Sequence, residues 1–197
     1  ESMEICPRVE SEMITRPFKI VFERAFNSQQ KERFRKNPEQ LVKWTAKNIK
    51  VIDDENALHI AQTPLGVWES GISDHRSRDI FFVDMARSIG IKARKDVVTG
   101  KVQYMKDNEW HDVDFDGTRN KDKGKGKLML EYSTTKQIDN PKYYNHFTIS
   151  KIENGATVLM NFDEFTADNE GTTWKNTFKD GIELDCGTYM LTTGIRL

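Results

Sequence analysis

Apolar residues recur at helical spacing in the first part of the chain and at strand spacing in the last. Ile14, Phe18, Val21, Phe22, Ala25 and Phe26 mark one oily face over residues 11–26, with Pro17 near its start, and predict a first helix. Asn37, Pro38 and Gln40 then read as an N-cap, a proline at the first helical position and a residue reaching back to the cap. Leu41, Val42, Trp44, Ala46 and Ile49 supply the apolar face of that second helix. Between Ile49 and Ser73 the run Asp53-Asp54-Glu55-Asn56 and the run Thr63-Pro64-Leu65-Gly66 signal a long surface loop.

The best-marked helix covers residues 78–89. Ile80, Phe81, Val83, Ala86 and Ile89 face inward, Gly90 follows as the residue that ends the helix, and Ile91 is the apolar residue beyond it. Three strands follow, over residues 91–98, 101–105 and 110–115, with the last two joined by an Asp107-Asn108 turn. The stretch from Arg119 to Lys127 is polar, basic and glycine-bearing, so it reads as a solvated linker rather than a phosphate clamp. It divides the chain into a domain over residues 1–120 and a small antiparallel β domain over residues 127–197. In the latter, Leu128 and Leu130 alternate with polar positions, strands at 147–149 and 158–160 flank an Asn154-Gly155 turn, and 189–191 forms another strand.

Composition narrows the function classes. The chain has 197 residues, 37% of them hydrophobic, enough for a globular core. Lys and Arg number 30 against 31 Asp and Glu, and this near balance points to no nucleic-acid partner. No apolar run approaches the ~20 residues of a membrane-spanning helix, and the first residues lack the basic-then-apolar order of a signal peptide. Cys6 and Cys186 have neither metal-binding nor redox spacing; Cys186, in strand-like sequence, reads as a buried small hydrophobe.

The run from Asp79 to Arg94, DIFFVDMARSIGIKAR, resembles the core helix and following strand of transglutaminase-like proteins, in which an apolar helix leads to Arg, two residues and Gly-Ile-x-Ala-Arg. Trp110-His111-Asp112-Val113-Asp114 looks like the family's terminal strand, with its Trp and triad Asp, and Thr63-Pro64 like the approach to the helix. The resemblance covers residues 40–116. It implies an α+β fold, a papain-like core of one helix and an antiparallel sheet, followed by a small β-sandwich-like domain. The order of elements also looks like domains in large secreted or surface proteins of gut bacteria, which implies an extracytoplasmic setting beside other domains of a longer chain.

In that family a Cys begins the core helix, where the helix N-terminus lowers its pKa; a His on a neighbouring strand takes its proton, and an Asp orients the His. Here the nucleophile position falls on or near His75, with no Cys in the window, and residues 97–104 hold no His. Asp114 alone remains. Ser73 and Ser77 with His75, His111 or His59 and Asp114 have the residue types of a serine triad, but Ser73, Asp74 and Ser77 are also the types that cap a helix. His75, His111 and Asp114 carry metal-ligating atoms without a convergent spacing, so no metal and no cofactor are expected. His146, beside Tyr143 and Tyr144, reads either as part of a ring-stacking surface or as core. Trp44, Trp68, Trp110 and Trp174 are spread along the chain and read as packing anchors. The expectation is a pseudoenzyme that binds a peptide or glycan at a cleft bearing Ser73, Asp74, His75 and Arg76. The rival expectation is a hydrolase or acyltransferase with a non-standard nucleophile.

Overall fold

The computed structural model describes residues 8–10, 12–53, 60–117, 124–153, 156–162 and 171–194. His59, Cys6, the Asn154-Gly155 turn and residues 118–123 of the expected linker lie outside these. The chain is mixed α+β and divides into two compact units, Glu1–Asp96 with Gly100–Arg119, and Val97–Thr99 with Asn120–Leu197. Residues 97–99 therefore leave the sheet they adjoin in sequence and join the second unit.

In the first unit the described elements are α1 (Lys19–Ala25), α2 (Ser28–Lys36), α3 (Glu39–Asn48), β1 (Lys50–Val51), α4 (Pro64–Ser70), β2 (Ile72–Ser73), α5 (His75–Ser88), β3 (Ala93–Lys95), β4 (Val102–Lys106) and β5 (Glu109–Asp112). The central member is α5. Ile80, Phe81, Phe82, Val83, Met85 and Ala86 are all fully buried, so this helix is enclosed rather than amphipathic. α1, α3, α4, β3 and β4 pack against it. Aromatic edges lock the layers: Phe22 meets Phe81 with ring centroids 5.5 Å apart, and Phe82 meets Phe115 at the same distance. The sheet β3-β4-β5 is an antiparallel meander, turned between β4 and β5 at Asp107 and Asn108, whose φ angles of 54° and 64° suit a tight hairpin.

Several sequence expectations change. The first helix is shorter than residues 11–26 and begins only at Lys19, because the Glu12 carboxylate accepts the Val9 and Glu10 backbone N–H groups and holds the chain in a turn. Ile14 and Phe18 still pack on the core without being helical. α2 was not expected; Asn27 and Gln30 form a reciprocal capping box, but only Phe34 is buried, so no apolar stripe announces it. The long loop expected between Ile49 and Ser73 contains α4, where Thr63 caps the Gly66 N–H and Pro64 takes the first position. Asn37 does not cap α3; its Oδ1 is buried without a partner among the described residues. Trp44 and Trp68 stack at 5.9 Å, as packing anchors should.

In the second unit, β7 (Phe147–Glu153) lies between β10 (Thr188–Thr193) and β8 (Ala156–Leu159) in one antiparallel sheet, and β6 (Lys125–Leu128) pairs with β9 (Ile182–Asp185) in another. Residues 125–127, expected in the linker, are thus strand, and the alternation ends at Leu128. A π-helical turn at Trp174–Phe178, capped by Thr173 and Asn176, was not foreseen. The core gathers Tyr143, Phe147, Ile149, Met160, Phe162 and Phe178, and the buried Tyr143 hydroxyl accepts from the Ile149 N–H and donates to the Met160 carbonyl. Cys186 is exposed rather than buried, since it falls between β9 and β10, outside the alternation of either strand.

Gly90 ends α5 at φ 87°, with the Ile91 N–H on the Ala86 carbonyl and the Gly90 N–H on the Arg87 carbonyl, the double bond of a Schellman cap. A Cβ there would sit 3.3 Å from Arg35 Nε. Gly90→Ala is therefore expected to lower unfolding free energy by about 1–2 kcal/mol, the cost of a left-handed residue with a side chain. Urea denaturation of the variant checks this, and an unchanged midpoint refutes it.

Candidate functional site

The N-terminal end of α5 is where the sequence placed a site, and its local geometry follows from capping. Asp74 takes the N-cap and accepts the Ser77 N–H at 2.6 Å, which leaves His75 as the first helical residue. His75 is exposed. Its backbone N–H donates to Asp53 Oδ1 at 2.9 Å and its Nδ1 contacts Asp53 Oδ2. The backbone bond first, then the imidazole, holds the Asp53 carboxyl below the ordinary range. Arg76 donates to Glu10 Oε2 at 2.7 Å, while Lys95 at the end of β3 holds Glu10 Oε1. Burial pushes the Glu10 carboxyl up, but the bonds from Lys95 and Arg76 outweigh it and leave it below its usual value.

The two serines lie beneath the surface. Among the described residues Ser73 Oγ has no hydrogen-bond partner, and Ser77 Oγ accepts the Gln62 N–H at 2.9 Å. Among those residues neither hydroxyl is bonded to an imidazole, the contact by which a serine triad activates its nucleophile. Arg78 is buried at the same helix end, with its guanidinium 4.3 Å over the Phe115 ring and bonded to both oxygens of Asp116.

On the sheet, β4 presents Val102 and Tyr104 to the core, and no residue there takes the place of a base. Burial, and after it the Glu39 carboxylate, pushes the Tyr104 hydroxyl up to about 12, so it keeps its proton at neutral pH. His111 faces Tyr104 across the β4–β5 ladder and stacks on it, centroids 5.6 Å apart. Asp114 is half-buried just beyond β5. Among the described residues no three metal-ligating side chains converge, and His75, His111 and Asp114 do not form such a set. His146 turns its Nδ1 to accept the Lys142 N–H, and Tyr143 is core. No described helix is long and apolar enough to cross a membrane.

Glu10, Asp53 and Lys95 complete this polar cluster and were not anticipated. Asp53 lay in an acidic run that read as loop, and nothing in the sequence links Glu10 to a position 66 residues later. A shallow groove of about 320 Å³ lies instead at the other end of α5, lined by Lys19, Lys31, Arg35 and Arg87 among others. Its cations serve the fold: Arg35 Nε donates to the Ile89 carbonyl at 2.7 Å and Lys31 Nζ to the Glu23 carbonyl. No protein-family model matches the chain, and no curated protein or solved structure matches it either.

Within α5, Asp84 is buried with neither carboxylate oxygen hydrogen-bonded, among the described residues. Burial, reinforced by the buried Glu12 carboxylate and only partly offset by Arg87, pushes it up to about 8. Because this pKa is raised on folding, its stabilising contribution is complete in acid and declines once pH exceeds the unfolded value near 4, until the folded group ionises near 8. Glu10 and Asp53 are shifted the other way and act below that window, losing their contribution as pH falls. Relative to Asp84→Asn, the native protein is expected to lose up to about 1.4 kcal/mol per pH unit between pH 5 and 7. Parallel stability profiles for the two proteins in urea would refute this.

Proposed function

We propose that this chain is a degenerate transglutaminase-like domain with a papain-like core, followed by a small β-sandwich-like domain, and that it is a pseudoenzyme. It holds a peptide or glycan as a binding or scaffolding module within a larger extracytoplasmic protein. The observation that carries the reading is the start of α5. A helix N-terminus enclosed by an α+β core, and followed by an antiparallel meander, is the setting in which such a fold uses a thiolate. The residue there is His75, engaged with Asp53, and β4 offers no imidazole to take a proton. The charged and polar side chains at that end, Asp53, His75 and Arg76, remain exposed enough to meet a ligand.

The rival reading, a hydrolase or acyltransferase with a serine nucleophile, finds little support in the buried hydroxyls of Ser73 and Ser77. Oxyanion stabilisation by backbone N–H groups would have no covalent intermediate to act on.

Incubation with amide, ester and glutamine-crosslinking substrates and with acyl-trapping probes is expected to give neither turnover nor labelling. Arrays of peptides and glycans are expected to yield a ligand whose binding is weakened in His75→Ala and Asp53→Ala, with the fold retained by circular dichroism and only a small fall in melting temperature. Turnover abolished by Ser73→Ala, Ser77→Ala or His75→Ala would overturn the pseudoenzyme reading. Binding that is indifferent to both substitutions would overturn the placement of the ligand.

A further inference from the structure

The strand β10 reads Thr-Tyr-Met-Leu-Thr-Thr, six residues without a charge or a proline, at the edge of the sheet β10-β7-β8. Apart from the two-residue strand β2 and the short β8, the other described edges are guarded. β3 carries Arg94 and Lys95, β5 carries Glu109 and Asp112, and the two-stranded ribbon carries Lys125, Lys127, Glu183 and Asp185. Charges of this kind prevent one sheet edge from pairing with another. β8 is also uncharged but is only four residues long.

Ladder parity fixes which backbone groups of β10 face outward. The Gly194 N–H donates to the His146 carbonyl, and the register continues this as Thr192 opposite Thr148 and Met190 opposite Ser150. Hydrogen-bonded pairs alternate in an antiparallel ladder, so Thr188, Met190 and Thr192 bond to β7, while Leu191 and Thr193 turn their backbone groups to the edge that no other described strand covers. The Met160 N–H on the Ile149 carbonyl gives the complementary parity on the β8 side, as a continuous β7 requires.

The side chains reinforce the edge. Away from the core, Met190, Ser150 and Leu159 lie in one row across the three strands, with Ile152 in the next. Met190, Leu159 and Ile152 are 42%, 51% and 39% exposed, and Leu191 on the opposite face is 51% exposed although its register partner Ile149 is buried.

We infer that β10 pairs antiparallel with β10 of a second copy of this chain, about a two-fold axis at Leu191, to make a continuous six-stranded sheet. The occupant follows from charge and symmetry. With Leu191 opposite itself, Met190 faces Thr192 of the copy and Thr193 faces Tyr189, so every cross-strand pair is neutral and no like charges meet. The outward groups of Leu191 are then reciprocal partners, and its side chain extends the apolar surface beside Ile149 across the axis. A charged peptide would bring charges to an edge that has none to answer them.

Sedimentation equilibrium of the 197-residue chain tests the proposal, with a concentration-dependent species of twice the monomer mass expected and no larger assembly. Leu191→Pro removes an N–H that bonds only to the copy, and is expected to raise the dimer dissociation constant about ten- to a hundredfold, since both reciprocal bonds are lost. Leu191→Lys, which keeps the backbone intact and sets two cations face to face on the axis, is expected to abolish the dimer with its circular dichroism unchanged. Amide exchange at Leu191 is expected to slow as concentration rises. A monomer at the highest concentration the protein reaches in solution, an open-ended series of oligomers, or a dimer indifferent to Leu191→Lys would overturn the pairing.

Discussion

A helix with an unbroken run of fully buried residues cannot be stable on one partner. Ile80, Phe81, Phe82 and Val83 point in successive directions around α5, and each side chain contributes about 1.5–3 kcal/mol only if something covers it. α1, α3 and α4 and the strands β3 and β4 all meet that demand from different sides. The unit is thus built around a helix rather than on a sheet, and its sheet stays small. The same demand sets the ends of the helix, since a rod enclosed along its length is left with only its termini open to water. Asp74 terminates it at one end and Gly90 at the other, and both caps are well formed.

This division separates packing from chemistry. Apart from Asp84, the polar groups of α5 collect towards its termini, where the helix dipole favours acids at the start and bases at the end. At the start, however, Asp74 and Asp53 are joined by His75 and Arg76, and these two side chains are engaged with Asp53 and Glu10. At the far end Arg35 and Arg87 are spent on the carbonyls of Ile89 and Ala93. A nucleophile needs a base that is free to take its proton; here the imidazole at the helix start is engaged with a carboxylate, and among the described residues no hydroxyl is bonded to it.

Legibility in the sequence follows the same physics. α5 could be read to within one residue at its end and three at its start, because its apolar content and its Gly-Ile ending are local signals, and the Asp107-Asn108 hairpin likewise. α2 was missed because it exposes nearly everything but Phe34, and α4 because Thr63-Pro64 and Gly66 serve turns as well as helix starts. The two-residue strands β1 and β2 pair in parallel across twenty residues, a contact that no periodicity encodes. In the site, His75 and the capping roles of Asp74 were legible from neighbours in sequence. The Asp53 and Glu10 partners were not, since long-range ion pairs depend on where the fold brings the chain.

The buried polar groups left without partners add a last constraint. Among the described residues these include Ser73 Oγ, Thr45 Oγ1, Arg78 Nε and both oxygens of Asp84, which lie on or beside α5 in the first unit. Each such atom costs about 1–3 kcal/mol relative to a satisfied one, and an apolar residue of similar shape would avoid the cost. Sequences usually keep a local conflict of this kind where something other than packing demands the residue. Two of the conflicts, Ser73 and Arg78, stand at the helix start, where a transglutaminase-like enzyme would place its chemistry. Both side chains are buried, so they belong to the packing beneath the exposed Asp53, His75 and Arg76 and do not themselves form a surface.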